Sequence, residues 1–192
     1  MIDAKLRKWI EKQSLFFVAT APLSKKGHVN LSPKGPIGSL RVVDEKTVAY
    51  LDVIGSGAET IAHVRENGRI VVMLCAFDGP PRILRLHGRG QVVLPKSKRF
   101  DALMREHRFT DAGVPEARRA IVVVKCERVK DSCGYGVPLM RFEGLRTQMN
   151  AWGERKLAKG GVDELARYQN TNNEKSIDGL SALAPKKIKT RA

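Results

Sequence analysis

Closely spaced, strand-like segments are the feature that most restricts how this 192-residue chain can fold. They are rich in β-branched and aromatic residues, and most are joined by short turns such as SKKG, DEK and DGPP. Such connections favour antiparallel pairing, whereas a doubly wound sheet needs a helix after nearly every strand. The segments read SLFFVATAP, HVNLSP, RVV, TVAYLDV, RIVVMLCAF, RILRLHGRGQVVL and RRAIVVVKCERV. We therefore expect six to seven strands in a mainly β fold, a small β-barrel with peripheral helices.

Helical segments are expected at the periphery of this barrel. Residues 3–13 and the segment KSKRFDALMREH carry apolar residues at helical spacing. Beyond the strands, the polar segments LRTQMNAWGERKLAKGG and VDELARYQ predict a helical C-terminal region. We accordingly divide the chain into residues 1–140, the barrel with its N-terminal helix, residues 141–184, a helical extension packed on the barrel, and residues 185–192, a basic tail.

The charge and the cysteine content restrict the partners and the setting. A formal net charge of +15 attracts phosphorylated ligands and polyanions. Aromatic residues make up only 6% and no RNP-type stacking motif or zinc finger occurs, so charge alone is weak support for nucleic-acid binding. No apolar run approaches the roughly 20 residues of a membrane span. The three cysteines and four histidines show no spacing typical of disulfide frameworks or metal ligands, so we expect no metal and a reducing, cytoplasmic setting.

The sequence VIGSGAET joins a strand to a helix through three residues, Gly55-Ser56-Gly57. A dinucleotide-binding fingerprint needs a third glycine where Thr60 stands, and a P-loop needs Gly-Lys-Ser or Gly-Lys-Thr. Two interpretations stay open. In the first, Ser56 and Glu59 form a capping box and the glycines only make the turn. In the second, free N–H groups at the helix start bind a phosphate, which the hydroxyls of Ser56 and Thr60 also face.

An ordered set of motifs resembles a known family. LFFVATA, GHVNLSPKG, VAYLDVIGSGAETIAHVRENGRIVVMLCAF, SCGYGVP and NEKSIDGL follow one another between residues 15 and 180. The set looks like the flavin-binding split-barrel proteins related to pyridoxamine 5′-phosphate oxidase. The resemblance implies a split β-barrel of the FMN-binding type, and a homodimer that holds FMN in each of two sites at the subunit interface.

The same resemblance implies which residues hold FMN. Those beside the flavin ring and the ribityl chain come from NLSPKG and YLD, and those around the phosphate come from the start of the following helix. The implied cofactor-binding residues are Asn30, Ser32, Pro33, Lys34, Leu51, Asp52, Ser56, Gly57 and Thr60.

The sequence also departs from the oxidase pattern. In an alignment on NGR, the oxidase's basic pair at the helix start falls on Glu59 and Thr60, and a flavin-contacting glutamine falls on Ile83. The Arg-rich C-terminal segment that grips pyridoxal phosphate has no counterpart. In its place stands CGYGVP, where Tyr135 or Cys133 either covers the flavin face or belongs to a simple turn.

We expect from these features an FMN-dependent oxidoreductase with an unidentified small-molecule substrate. No catalytic residue is named, because the flavin itself would carry the redox chemistry. The alternatives are a carrier or sensor that binds flavin, haem or a deazaflavin without turnover, and a basic barrel that binds nucleic acid.

Overall fold

The computed structural model describes residues 1–188, so the last four residues of the predicted basic tail, 189–192, lie outside the described residues. No helix of the described part is long and apolar enough to cross a bilayer. The elements in chain order are α1 (Ala4–Glu11), β1 (Phe16–Thr20), β2 (Asn30–Lys34), β3 (Leu40–Asp44), β4 (Thr47–Val53), α2 (Glu59–Asn67), β5 (Arg69–Cys75), β6 (Ile83–Val93), α3 (Lys98–His107), a 3₁₀ turn (Pro115–Ala117), β7 (Arg118–Ser132) and α4 (Gln148–Asn172).

The strands form one antiparallel sheet in the order β2-β1-β5-β6-β7-β4-β3. The predicted hairpins β1–β2 and β3–β4 are confirmed, and they provide the two edges of the sheet. The mainly β fold with peripheral helices is confirmed as well. Because β2 and β3 are the two edges of the curled sheet and do not pair with each other, the barrel is split between them.

The sheet curls until strands that are distant in the ladder face each other. Phe16 of β1 and Tyr50 of β4 meet edge to face with 5.5 Å between ring centroids, although three strands separate β1 from β4 in the sheet order. The interior is filled by aliphatic side chains from six strands, among them Val18, Val48, Val72, Leu84 and Val122. Burial of each such side chain contributes about 1.5–3 kcal/mol to folding.

Helices α1 and α3 cover the barrel, and both begin at a side-chain cap. Asp3 accepts from the Leu6 N–H at 2.7 Å, and Ser97 accepts from the Phe100 N–H at 3.2 Å. α1 packs Leu6 and Ile10 against the interior core. α3 packs Phe100 against the outer face of β4, β6 and β7. Both helices therefore stabilise the sheet through the apolar stripe that the sequence predicts.

The helix after the glycine loop begins later than the sequence predicts. Helix α2 has Ala58 as its N-cap, without a side-chain hydrogen bond, and Glu59 is its first residue. The predicted capping box between Ser56 and Glu59 is therefore wrong. The Glu59 carboxylate accepts instead from the backbone N–H of Ile177 at 3.2 Å. The carboxylate is thus bound to a residue distant in the chain instead of to the Ser56 N–H.

Helix α4 is kinked and leads into a segment that returns to α2. Gly160 and Gly161 have non-helical dihedral angles, at the break that the sequence predicts between two helical stretches. The second half of α4 buries Leu165 beside Ile54 and Val114. Residues 173–183 then run back along the outer side of α2, where the sheet leaves an apolar surface.

A bulge in β7 requires glycine at position 88 of β6. The register shifts by one residue there, so that Gly88 lies opposite Cys126. A Cβ at position 88 would lie 2.8 Å from the carbonyl carbon of Lys125 and 3.0 Å from the Cα of Cys126. Since both neighbours are backbone atoms, only a shift of the strands could admit a side chain.

We expect Gly88→Ala to lower the free energy of unfolding by at least about 2 kcal/mol, because β6 and β7 must move apart. Chemical denaturation followed by circular dichroism measures the change. Gly136→Ala is the matched control, since a Cβ there meets no atom within 4 Å. A Gly88→Ala variant as stable as the Gly136→Ala variant would contradict this view of the β6–β7 pairing.

Candidate functional site

Strand β2 presents a polar face to the split of the barrel. Its side chains alternate, and Asn30, Ser32 and Lys34 are half-buried while Leu31 and Pro33 are exposed. Pro33 is tolerated because β2 is an edge strand and its outer side needs no donor. Three polar groups spaced along one face of an edge strand are thereby brought to the opening.

The end of β4 and the start of β7 supply the opposite wall. Asp52 follows Val48 and Tyr50 on the interior face of β4, so its carboxylate lies at the end of the apolar core. The β4–β7 register shifts at this point: Asp52 pairs with Ala120 and Val53 pairs with Arg118. Arg119 is the extra residue of this bulge. Bulges re-aim side chains, and here the guanidinium of Arg119 lies against the Asp52 carboxylate.

Asp52 forms a buried cluster with two cations. Arg119 Nε donates to Asp52 Oδ2 at 2.7 Å, and Lys34 Nζ donates to Oδ1 at 3.0 Å. The side chains of Asp52 and Arg119 are each only 4% exposed, and that of Lys34 is 23% exposed. Burial alone would raise the pKa of Asp52, but the charges of Arg119 and Lys34 outweigh it and hold the pKa below its usual value. Two cations and one carboxylate leave one positive charge facing the opening.

The glycine loop and the start of α2 add hydrogen-bond donors. An uncapped helix start leaves the first N–H groups without intrahelical partners, and the helix dipole makes the same end attractive to anions. The carbonyl of Gly57 accepts from Arg119 Nη1 at 2.7 Å, which ties the loop to the ion cluster. Glu59, the one acidic side chain of the loop, is held by Ile177 as described above. A Cβ at Gly57 would meet the Glu59 carboxylate, so a larger residue there would displace that side chain.

A chain of hydrogen bonds orients the hydroxyl of Thr60. Asn30 Nδ2 donates to Thr60 Oγ1 at 3.0 Å and lies 3.3 Å from Thr20 Oγ1, whereas Asn30 Oδ1 accepts from Ser32 at 3.0 Å. Thr20 Oγ1 lies 3.0 Å from Nδ1 of the fully buried His63. Burial lowers the pKa of His63, which suits a neutral ring that accepts the Thr20 proton. Because Thr60 already accepts from Asn30, its own proton is free to be donated.

These groups surround a cavity of about 400 Å³, within the range of small-molecule sites. Eight of the nine residues predicted to bind a cofactor line it. They are Ser32, Pro33, Lys34, Leu51, Asp52, Ser56, Gly57 and Thr60. The ninth, Asn30, contacts Thr60 and lines an adjoining cavity that shares Ser56 and Gly57 with this one. Another side of the cavity is closed by Ala112, which follows α3, and by Met149, at the start of α4.

Comparison with known proteins places the chain in a family. The sequence profile described as Pyridoxamine 5'-phosphate oxidase matches residues 2–133. The chain belongs to the pyridoxamine 5'-phosphate oxidase family. A curated relative, the Pyridoxamine 5'-phosphate oxidase family protein ustO of Aspergillus flavus, is 38% identical over 197 residues, which cover 95% of this chain and 76% of that protein.

A solved crystal structure shares the fold of this chain. The crystal structure of HupZ from Group A Streptococcus is 22% identical, with a TM-score of 0.53 over 69% of this chain and 95% of that chain. This likeness concerns the split-barrel fold of the pyridoxamine 5'-phosphate oxidase family. The family profile ends at residue 133, whereas the Aspergillus flavus relative also matches most of the C-terminal region.

The sequence analysis did not identify Arg119, and it considered two residues for the site that lie away from the cavity. Arg119 sits in RRAIVVV, whose apolar character predicts only a strand. A charged residue inside an apolar strand was the available signal, because a buried arginine needs a partner. Tyr135 and Cys133 are exposed and follow the last residue of β7, whereas Arg119 is the second residue of that strand. Within the chain they are therefore remote from the cavity.

We expect Asp52→Asn to lower the free energy of unfolding at pH 7 by about 3–5 kcal/mol, since it leaves two buried cations without a counter-ion. The pKa of Asp52 is depressed in the folded state, so its contribution is present above the unfolded value of about 4 and is lost as the pH falls through the lower folded value. The wild-type protein should therefore lose more stability than Asp52→Asn between neutral pH and pH ~3.

Chemical denaturation across that pH range measures both effects. Asp78→Asn, in the exposed turn after β5, is the matched control and should change stability by less than about 0.5 kcal/mol at pH 7. Equal pH dependence in wild type and Asp52→Asn would contradict the charged cluster.

Proposed function

We propose that the protein binds FMN as a homodimer and is a flavin-dependent oxidoreductase whose small-molecule substrate is not yet known. The observation that carries the proposal is the convergence of an uncapped helix start, a free Thr60 hydroxyl proton and the Lys34 ammonium on one cavity in a member of the pyridoxamine 5'-phosphate oxidase family. These are groups that bind a phosphate monoester.

The donor set fits the phosphate end of FMN. The ion cluster keeps one net positive charge at the opening, and Glu59, which also lines the cavity, accepts from the Ile177 N–H. Phosphate binding in this chain would rest on backbone N–H groups and the hydroxyls of Ser56 and Thr60, with Lys34 as the cation. The remaining predicted residues would contact the ribityl chain and the ring, namely Asn30, Ser32, Pro33, Leu51 and Asp52.

A bound flavin supplies electron and hydride transfer, and the protein supplies binding, orientation and charge. In this proposal Asp52 keeps Lys34 and Arg119 in place, and their surplus charge favours an anionic ligand over a neutral one. Asn30 directs the Thr60 proton into the cavity. Leu51 and Met149 exclude water from its apolar side.

We expect purified protein to take up FMN at least tenfold more tightly than riboflavin, because only FMN carries the phosphate; a tenfold change corresponds to about 1.4 kcal/mol. Thr60→Val and Lys34→Ala should each weaken FMN binding by about tenfold and leave riboflavin affinity nearly unchanged, as expected for loss of one hydrogen bond to a charged group. Quenching of flavin fluorescence on titration measures both affinities.

Lys46→Ala, in the exposed β3–β4 turn, is the control for removal of a positive charge. Protein that fails to bind added FMN would refute the cofactor assignment. FMN affinity unchanged in both site variants would refute the assignment of these residues. A bound flavin that neither NADH nor NADPH nor candidate substrates reduce would favour a carrier over an oxidoreductase.

An exposed apolar segment supports the dimeric part of the proposal. Residues 135–147 form neither helix nor strand, and the side chains of Leu139, Met140 and Phe142 are 79%, 57% and 53% exposed. The N–H of Met140 donates to the carbonyl of Phe77, which holds the segment against the turn after β5. An anchored segment that exposes several large apolar side chains is typical of a surface that another subunit covers.

We expect light scattering to give twice the chain mass of 21.3 kDa for the wild type. The double variant Leu139→Glu with Phe142→Glu should shift the protein toward the monomer, because charge at a buried interface is unfavourable. Leu23→Glu, at an exposed apolar residue outside the segment, is the control. A monomeric wild type would contradict the proposed assembly.

A further inference from the structure

The segment that follows α4 folds back onto the glycine loop from outside the barrel. It lies beyond the part of the chain that the family profile matches, which ends at residue 133. Ala182 and Leu183 pack against Ala58 and Ile61, the residues at the start of α2. The C-terminal segment therefore contacts the same loop that forms one wall of the cavity.

Asn173, the residue at the end of α4, is the polar centre of this contact. Its side chain is fully buried, and its Nδ2 donates to the carbonyl of Gly55 at 2.9 Å and lies 3.4 Å from the carbonyl of Gly57. Both partners only accept, so the amide orientation is determined by them. Asn173 Oδ1 has no partner among the described residues. The amide of Asn173 therefore contacts the loop through its Nδ2 donor.

The geometry of the peptide bond relates these two hydrogen bonds to the direction of the neighbouring N–H groups. In a trans peptide the carbonyl of one residue and the N–H of the next point in opposite directions. With the carbonyls of Gly55 and Gly57 drawn toward Asn173, the N–H groups of Ser56 and Ala58 point away from it. Ser56 and Ala58 line the cavity, and Asn173 does not.

The position of Asn173 is itself fixed on both sides. Its N–H donates to the carbonyl of Gln169 at 2.7 Å, and its carbonyl accepts from the N–H of Leu183 at 3.2 Å. The turn between these residues brings the N–H of Ile177 to the Glu59 carboxylate. One short segment thus holds the loop carbonyls and also restrains Glu59, the first residue of α2.

We propose that Asn173 is a positioning residue for anion recognition: it fixes the Gly55–Ala58 loop with its N–H groups toward the cavity, so that phosphate affinity depends on a residue that does not touch the phosphate. The proposal rests on the proposed function for the identity of the anion, that of the FMN phosphate. Its structural part, the restraint of the loop, is independent of the ligand.

The test compares FMN with riboflavin on the full-length protein and on three variants. Asn173→Ala removes the donor, and Asn173→Asp keeps the size but replaces the donor with a carboxylate that faces two carbonyl oxygens. Both should weaken FMN by about tenfold or more and change riboflavin by less than about twofold. Asn172→Ala is the matched control, because among residues 1–188 Asn172 donates only to Tyr168 within α4. It should leave both affinities unchanged.

Two further readouts separate positioning from general destabilisation. Lowering the pH protonates the side chain of Asn173→Asp and restores a donor, so its FMN affinity relative to that of Asn173→Ala should rise toward acidic pH. Hydrogen–deuterium exchange of the peptide that covers residues 54–58 should be faster in Asn173→Ala than in wild type, while β5 and β6 keep their protection.

The outcomes decide between the proposals. Equal weakening of FMN and riboflavin, or no change in either, would overturn the positioning role. If the wild-type protein binds no FMN, the proposed function fails, and the exchange rates still decide the loop restraint: faster exchange in Asn173→Ala supports it, and unchanged exchange overturns it.

Discussion

The ion cluster of Asp52 with Lys34 and Arg119 is the interaction on which the site depends. Lys34 lies on β2, at one end of the sheet, and Asp52 lies on β4, next to the other end, so their contact bridges the split of the barrel. A buried carboxylate is costly unless its charge is paired and its oxygens are hydrogen-bonded. Here two cations from opposite sides meet both requirements. The two sides of the opening are thus joined by buried charges that compensate one another.

The same cluster explains why a carboxylate stands in a cavity suited to an anion. Without Asp52, Lys34 and Arg119 would repel each other in a poorly hydrated place. With it, both cations stay charged and close together, and a single net positive charge remains. Arg119 extends the arrangement to the glycine loop through the Gly57 carbonyl, so the loop is tied to both β4 and β7.

The sequence predicts the parts of this structure that depend on local patterns. The strands follow from alternation and β-branched residues, and the apolar stripes of α1 and α3 follow from helical spacing. The sequence does not predict contacts between residues that are distant along the chain. Glu59 resembles half of a capping box until Ile177, 118 residues away, takes its carboxylate. Arg119 joins the site only because a bulge turns it, and a bulge has no sequence signature in RRAIVVV.

The exposed Pro33 has a consequence for how copies of the chain can associate. Strand β2 is an open edge of the sheet, and a free edge invites a further strand to pair with it. A proline as the fourth residue of this five-residue strand removes one of the few donors such pairing would use. Growth of the sheet by edge-to-edge addition is therefore disfavoured at β2, and the polar face that carries Lys34 stays open to small ligands.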